Sequence, residues 1–407
     1  MRHDLNRNWL FLRGRHEEYI ITPIKGGEKV QIPHNVEIFP ASYLCIQDYQ
    51  GEFTYQLQFD CHDELPTKIL TFDGVMLQFD AYINGNSLGH FVSGFLPVSI
   101  DVSKYIQKKN NILTIIVDGR EDPHIPPFGK VVDYLTFAGI YREVRLDSHP
   151  ASYIQDLFIR ASSNGDIEIQ TEIVGSGSPD YEIYDGETLI LKSKDTKFHL
   201  DNPHLYSLDD PHQYEIKATL GDDAKKVHFG FRDVEFKIDG FFLNGKRVEL
   251  IGLNRHQSYP YFGMAAPKSL QEEDADILKS IGLNVVRTSH YPQSEHFLSR
   301  CDEIGLLVLN EIPGWQFISK DEIWRRNCVD FARKMIIKER NHPSLIAYGL
   351  RIDESGDDDE LYSEIQRIKD ELDPHRQSLG VRNFKDSNCL EDVYAYNDFS
   401  GDRLIHG

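Results

Sequence analysis

The chain has 407 residues, 40% of them apolar and 27% charged, ordinary globular proportions that exclude wholesale disorder. Its 44 basic and 65 acidic residues give a net charge of −21. A surface that acidic repels phosphate backbones and anionic membranes, so nucleic-acid and membrane partners are not expected and a neutral ligand fits best.

At roughly 100–200 residues per domain, this length predicts two to four domains. Residues 1–148 read as β structure. The run Phe53-Thr54-Tyr55-Gln56-Leu57-Gln58-Phe59 alternates with a period of two, and turn pairs such as Asp73-Gly74 and Asn84-Gly85 recur. Short strands punctuated in this way suggest a sandwich or jelly roll. Residues 149–236 repeat the texture on a smaller scale, as in Asp166–Ile173, and fit an immunoglobulin-like sandwich.

From residue 237 to 407 strands and helices alternate. Val248–Leu253 reads as a strand, Ser269–Ile281 as an amphipathic helix, Asn284–Arg287 as a strand, and Ser294–Ile304 as a helix stopped by Gly305. Leu306–Leu309 (strand), Ile323–Arg340 (helix), Leu345–Gly349 (strand), Asp359–Glu371 (helix) and the fifth strand candidate Gln377–Val381 follow. The βαβα order predicts a parallel sheet, with a (β/α)₈ TIM barrel as the leading candidate. A complete barrel needs ~250 residues. Only four or five of its eight units can be placed, so the barrel is expected to be incomplete at the C-terminus. The acidic run Gly356–Glu360 suits the start of a helix, where the dipole favours negative charge.

The five cysteines, Cys45, Cys61, Cys301, Cys328 and Cys389, are odd in number and lack zinc spacing. They read as reduced thiols of a cytoplasmic protein. The apolar run Trp9–Leu12 is too short for a signal peptide, and no stretch nears the ~20 apolar residues of a membrane span. No Walker loop or dinucleotide fingerprint is present, so neither a cofactor nor a metal is expected.

Barrel chemistry sits at the C-terminal ends of the strands. Those positions hold Asn254, Arg255 and His256; then Arg287, His290 and Tyr291; then Asn310, Glu311 and Trp315; then Asp353 and Glu354. Histidines and carboxylates that bind hydroxyls, with an indole to stack on a ring, suit a sugar. Taken singly each has a plainer reading: Glu311 could simply balance Arg287. The recurrence at successive strand ends carries the argument.

These residues resemble glycoside hydrolase family 2 along essentially the whole chain. QIPHNV (Gln31–Val36), Phe72–Val102 and DYLTFAGIYREVRL (Asp133–Leu146) are similar to its galactose-binding-like jelly roll. NPHLYSLDDPHQYEI (Asn202–Ile216) and FGFRDVEF (Phe229–Phe236) are similar to its second domain. Gly240–His256, NVVRTSHYP (Asn284–Pro292) and RNHPSLIAYGLRIDES (Arg340–Ser355) follow in the order of its barrel. The resemblance implies a retaining β-glycosidase, of β-galactosidase type first, with a β-glucuronidase or a non-catalytic carbohydrate-binding protein as alternatives.

Glu354 matches the family's acid/base, and its pKa is expected to be raised by burial and a partner carboxylate. His256, Arg287 and His290 match positions lining the sugar site, Asp133 a carboxylate reaching in from the first domain, and Trp315 a stacking wall. For Asp133 a simple turn residue is the rival reading. Two departures stand out. The residue before the acid/base is usually Asn, and here it is Asp353, which ionised cannot donate to a sugar hydroxyl and adds negative charge beside Glu354. The nucleophile is not found: Val393–Gly407 resembles the strand region just before it. This chain alone is therefore expected to have little or no hydrolase activity. The open sheet edges would be covered in a homo-oligomer or by a missing C-terminal portion.

Overall fold

The computed structural model describes residues 1–38 and 45–399. The last part of the Val393–Gly407 segment, residues 400–407, lies outside them. The alternating N-terminal runs form two facing antiparallel sheets. A four-stranded sheet holds Arg2–Asp4, Val144–His149, Thr67–Phe72 and Val98–Asp101 in spatial order. A six-stranded sheet holds Glu28–Val30, Trp9–Arg13, Glu52–Phe59, Asn111–Asp118, Gln78–Ile83 and Asn86–Val92. Alternation decides which side chains enter the core: in Gln78–Ile83, Phe79, Ala81 and Ile83 are buried and the residues between them are half-buried. Strands distant in sequence close the layer, since Arg2–Asp4 pairs with Arg145–Asp147.

A second pair of antiparallel sheets follows. One has three strands, Tyr153–Ala161, Asp166–Val174 and Lys197–His199, and the other four, from Asp180 to Phe229. Ile154, Leu157, Ile169, Tyr181, Ile216 and Phe231 form its separate core. Val234–Lys237, Gly240–Leu243 and Lys246–Val248 then make a small antiparallel sheet. Its Phe241 and Leu243 pack under Val285, Leu307 and Ile346 of the parallel sheet. The single strand read at Val248–Leu253 is thus two elements: the end of this sheet, and a new strand from Gly252.

The parallel sheet has six strands in sequential order: β1 (Gly252–Asn254), β2 (Val285–Thr288), β3 (Leu307–Glu311), β4 (Leu345–Gly349), β5 (Gln377–Arg382) and β6 (Val393–Tyr396). Four helices connect the first five, α1 (Lys268–Ser280), α2 (Glu295–Ile304), α3 (Glu322–Glu339) and α4 (Asp359–Leu372), and a loop leads from β5 to β6. The sequence reading stopped at four or five strands, because β6 is exposed at every second residue and lacks an apolar run. Local chemistry sets the helix ends. Ser294, Asp321 and Asp358 accept backbone N–H bonds as N-caps. Gly305 closes α2 at φ 70°, where a side chain would also meet the Leu208 carbonyl oxygen. The acidic run before α4 is therefore more than a solvated start: Asp358 is buried and pairs with Arg325.

The first sandwich and the helices of the parallel layer share one core. Phe95 stacks on Tyr291 with ring centroids 4.4 Å apart, and the Trp324 indole donates to the Phe128 carbonyl at 2.9 Å. Arg142 is buried between them, donating to the carbonyls of Phe95 and Pro292 and to the Gln257 amide oxygen. These contacts carry the loop containing Asp133 and Tyr134 over the C-terminal ends of β1 and β2. Fold and family resemblance agree at this level: a multidomain chain of β-sandwiches followed by an incomplete TIM barrel.

Candidate active site

The end of β2 supplies the central cation. Arg287 donates through Nε to Glu311 Oε1 at 2.6 Å and through Nη2 to Asp353 Oδ1 at 2.6 Å. The pairing of Arg287 with Glu311 noted in the sequence is present, but Asp353 shares it. His290 closes the network: Nδ1 lies 3.0 Å from Glu311 Oε2, and Nε2 lies 3.6 Å from Asp353 Oδ2 and 3.9 Å from Asp133 Oδ2. Asp133, from the sandwich loop, thus does reach the mouth, where it remains open to solvent.

The network sets the protonation of its members. Burial alone would depress His290, but its hydrogen bond and charge pairing with Glu311, then the charge of Asp353, outweigh it and raise its pKa. Burial would raise Glu311, but Arg287 and then His290 hold it below the usual carboxylate range. For Asp353 burial wins: its pKa is pushed up to about 6 despite His290 and Arg287, with Glu311 adding to the rise.

Glu354 stands apart from these charges. Among the described residues no cation lies within ion-pair distance of it. Two side-chain amides hold its oxygens instead: Asn397 donates to Oε1 at 2.9 Å and Gln316 to Oε2 at 2.9 Å. Both Gln316 and Glu354 adopt left-handed backbone, at φ 56° and 54°. Trp315 is half-buried in the loop after β3, where its backbone bridges that of Asp353. His256 stands at the open rim, 5.8 Å from His290 between ring centroids; the surrounding protein and then the charge of His290 lower its pKa.

Not every strand-end residue faces the mouth. Arg255 is buried against Asp274, Gln271, Gln293 and Tyr259, with its guanidinium over the Phe297 ring. Asn310 bonds Thr288 and the buried Glu339. Both polar groups serve the packing of the layer. Conversely, three mouth residues went unassigned in the sequence: Gln316, Asn397 and Tyr134. Asn397 follows β6, so the strand-end rule finds it once it is applied to that last strand. Tyr134 packs its ring against His256, His290 and Tyr291, and its buried hydroxyl has no partner among the described residues. Only its position beside Asp133 could have signalled it.

Residues 27–150 match the model of the glycosyl hydrolases family 2 sugar binding domain, and residues 234–393 that of the family's TIM barrel domain. The chain belongs to glycoside hydrolase family 2. A β-galactosidase of Thermoanaerobacterium thermosulfurigenes is 39% identical over 98% of this chain and 60% of its own length. A β-galactosidase of Thermoanaerobacter pseudethanolicus is 39% identical over 91% of this chain and 54% of its own. The chain thus spans little more than half of these family 2 relatives. Among solved structures, Bacteroides uniformis β-glucuronidase 3 superposes with a TM-score of 0.86 at 25% identity, covering 98% of this chain and 57% of that one. A Ruminococcus gnavus β-glucuronidase gives 0.87 at 21% identity, covering 98% and 76%, a likeness of fold.

Proposed function

We propose that this chain supplies the acid/base carboxylate and most of the sugar-binding mouth of a retaining β-galactosidase. The observation that carries the reading is the division of labour among the carboxylates. Glu311 and Asp353 are committed to Arg287 and His290, while Glu354 alone is held by neutral amides and free of a cation. A proton donor to a leaving oxygen must lose and regain its proton, which an arginine beside it would oppose. Glu354 would protonate the glycosidic oxygen, then take a proton from the attacking water. The attacking carboxylate would stand ~5–5.5 Å from it. Since Glu311 and Asp353 are engaged, we place that group beyond the described residues.

Charge favours a neutral sugar. Asp133, Glu311, Asp353 and Glu354 outnumber Arg287 and His290 at the mouth, and a glucuronate carboxylate would meet net repulsion. Asp133, Asp353 and His290 would bond galactose hydroxyls, and Trp315 would bound the ring. The 39% identity to two β-galactosidases supports the same assignment.

The test is calorimetric binding of a galactose-configured iminosugar and its glucuronate-configured counterpart to the 407-residue chain. The galactose ligand is expected to bind more tightly, and His290→Ala to weaken it at least tenfold, about 1.4 kcal/mol. Tighter binding of the glucuronate ligand would overturn the galactoside assignment. Binding indifferent to both His290→Ala and Asp133→Ala would overturn the site itself.

A further inference from the structure

A second polar concavity lies at the opposite end of the parallel sheet. It is bounded by residues 340–343, just before β4, by residues 373–376, just before β5, by the end of Tyr153–Ala161, and by Phe229–Val234. Its volume is about 230 Å³. Four arginines line it, Arg160, Arg232, Arg340 and Arg376, against two carboxylates, Asp233 and Asp373. In a chain of net charge −21 such a concentration of cations is unexpected.

Three of the four have carboxylate partners. Arg160 lies 3.6 Å from Glu168, Arg340 pairs with Asp156, and Arg376 donates to Asp373 at 2.9 Å. Arg232 has none within ion-pair distance among the described residues. Its Nη2 donates only to backbone carbonyls, of Leu345 at 2.8 Å and His342 at 3.4 Å. The Nε–H groups of Arg232, Arg340 and Arg376 are all buried without a hydrogen-bond partner among the described residues. A shielded guanidinium without a counter-ion is costly, so Arg232 calls for an anionic partner.

We propose that this cavity binds a phosphate-type oxyanion, free or carried on a small ester, with Arg232 as its counter-ion. A guanidinium suits such an anion by its fixed charge and its N–H donors. The site sits where the second sandwich meets the base of the barrel strands, so an occupant would fasten these layers together at a distance from the catalytic mouth. This reading does not depend on which sugar the mouth accepts.

The test is isothermal titration of the full chain with inorganic phosphate, and separately with glucose 6-phosphate, against sodium chloride at matched ionic strength. A saturable single site for phosphate, with a rise in melting temperature that chloride does not reproduce, is the expected result and supports a free anion. Binding of the ester alone supports the esterified form. Arg232→Gln is expected to weaken binding at least tenfold. Should that variant not fold, Arg160→Gln at the exposed rim is expected to weaken it several-fold while leaving the fold intact. No saturable binding, an equal effect of chloride, or affinity unaltered in the variant that folds would overturn the proposal.

Discussion

At the scale of single residues, the structure turns on charges taken out of water in groups. Arg287 is the clearest case, since it faces both Glu311 and Asp353, and both carboxylates are almost wholly buried. Arg287→Leu is expected to cost roughly 3–5 kcal/mol by stranding two carboxylates, read from urea unfolding. Adding Glu311→Gln and Asp353→Asn to the same chain should recover part of that loss, which a mere packing defect would not allow. Asp353 also makes the mouth sensitive to acid. With a pKa of about 6 it is ionised at neutrality and gains a donor proton below that value. The pH dependence of iminosugar affinity should therefore bend near 6 and lose the bend in Asp353→Asn. A bend that survives the substitution would belong to another group.

His342 behaves in the opposite sense. Burial would lower its pKa, but the charges of Asp302 and then Glu295 raise it to about 10. Its folded pKa lies above the unfolded value near 6.5, so the stabilisation is complete below pH 6.5 and is lost as pH rises towards 10. The melting temperature should fall across that window, and the fall should be shallower in His342→Gln. Parallel curves for the two proteins would refute the assignment.

Among the elements, local chemistry decided what could be read. Ser294 and Gly305 bracket α2, and the structure departs from the expected bounds by a single residue there. Leu345–Gly349 was expected as β4 residue for residue, because a fully buried parallel strand is a continuous apolar run. Strand β6 is marked only by the family resemblance of Val393–Gly407, since alternate exposure on a four-residue edge strand imitates a loop. The site divided on the same line. A strand-end rule finds Arg287 and Arg255 alike, yet only tertiary packing sends one into the mouth and the other against Asp274. Gln316 and Tyr134 lie on loops, where no periodicity points. Packing between elements also couples fold to site. A Cβ on Gly349 would meet the Glu311 Cγ at 2.4 Å, so Gly349→Ala must displace the carboxylate that holds Arg287 and His290. That variant is expected to lose about 1–3 kcal/mol of stability by overpacking and to bind sugar more weakly. Unchanged affinity would show that the mouth tolerates movement of Glu311.

For the whole molecule, the six parallel strands leave β1 and β6 each with one unpaired side among the described residues. Apolar groups stand on both flanks: Leu253 is 53% exposed and Tyr394 40%. Such edges are templates for pairing, so the 407-residue chain is expected to self-associate with rising concentration. Leu253→Lys should shift sedimentation towards monomer, and no shift would clear β1 of the role.

The sharing of one mouth between two layers has a consequence for synthesis. Asp133 and Tyr134 belong to a sandwich whose last strand ends at His149, whereas Asn397 emerges some 250 residues later. A chain made from its N-terminus onwards therefore completes the ceiling of the mouth before its floor exists, and each later strand is threaded beneath a finished surface. The sandwich in this view is a mould: Arg142 and Phe95 wait as fixed points onto which Pro292 and Tyr291 are delivered. Defects in the first 150 residues would then surface as parallel strands laid down out of place.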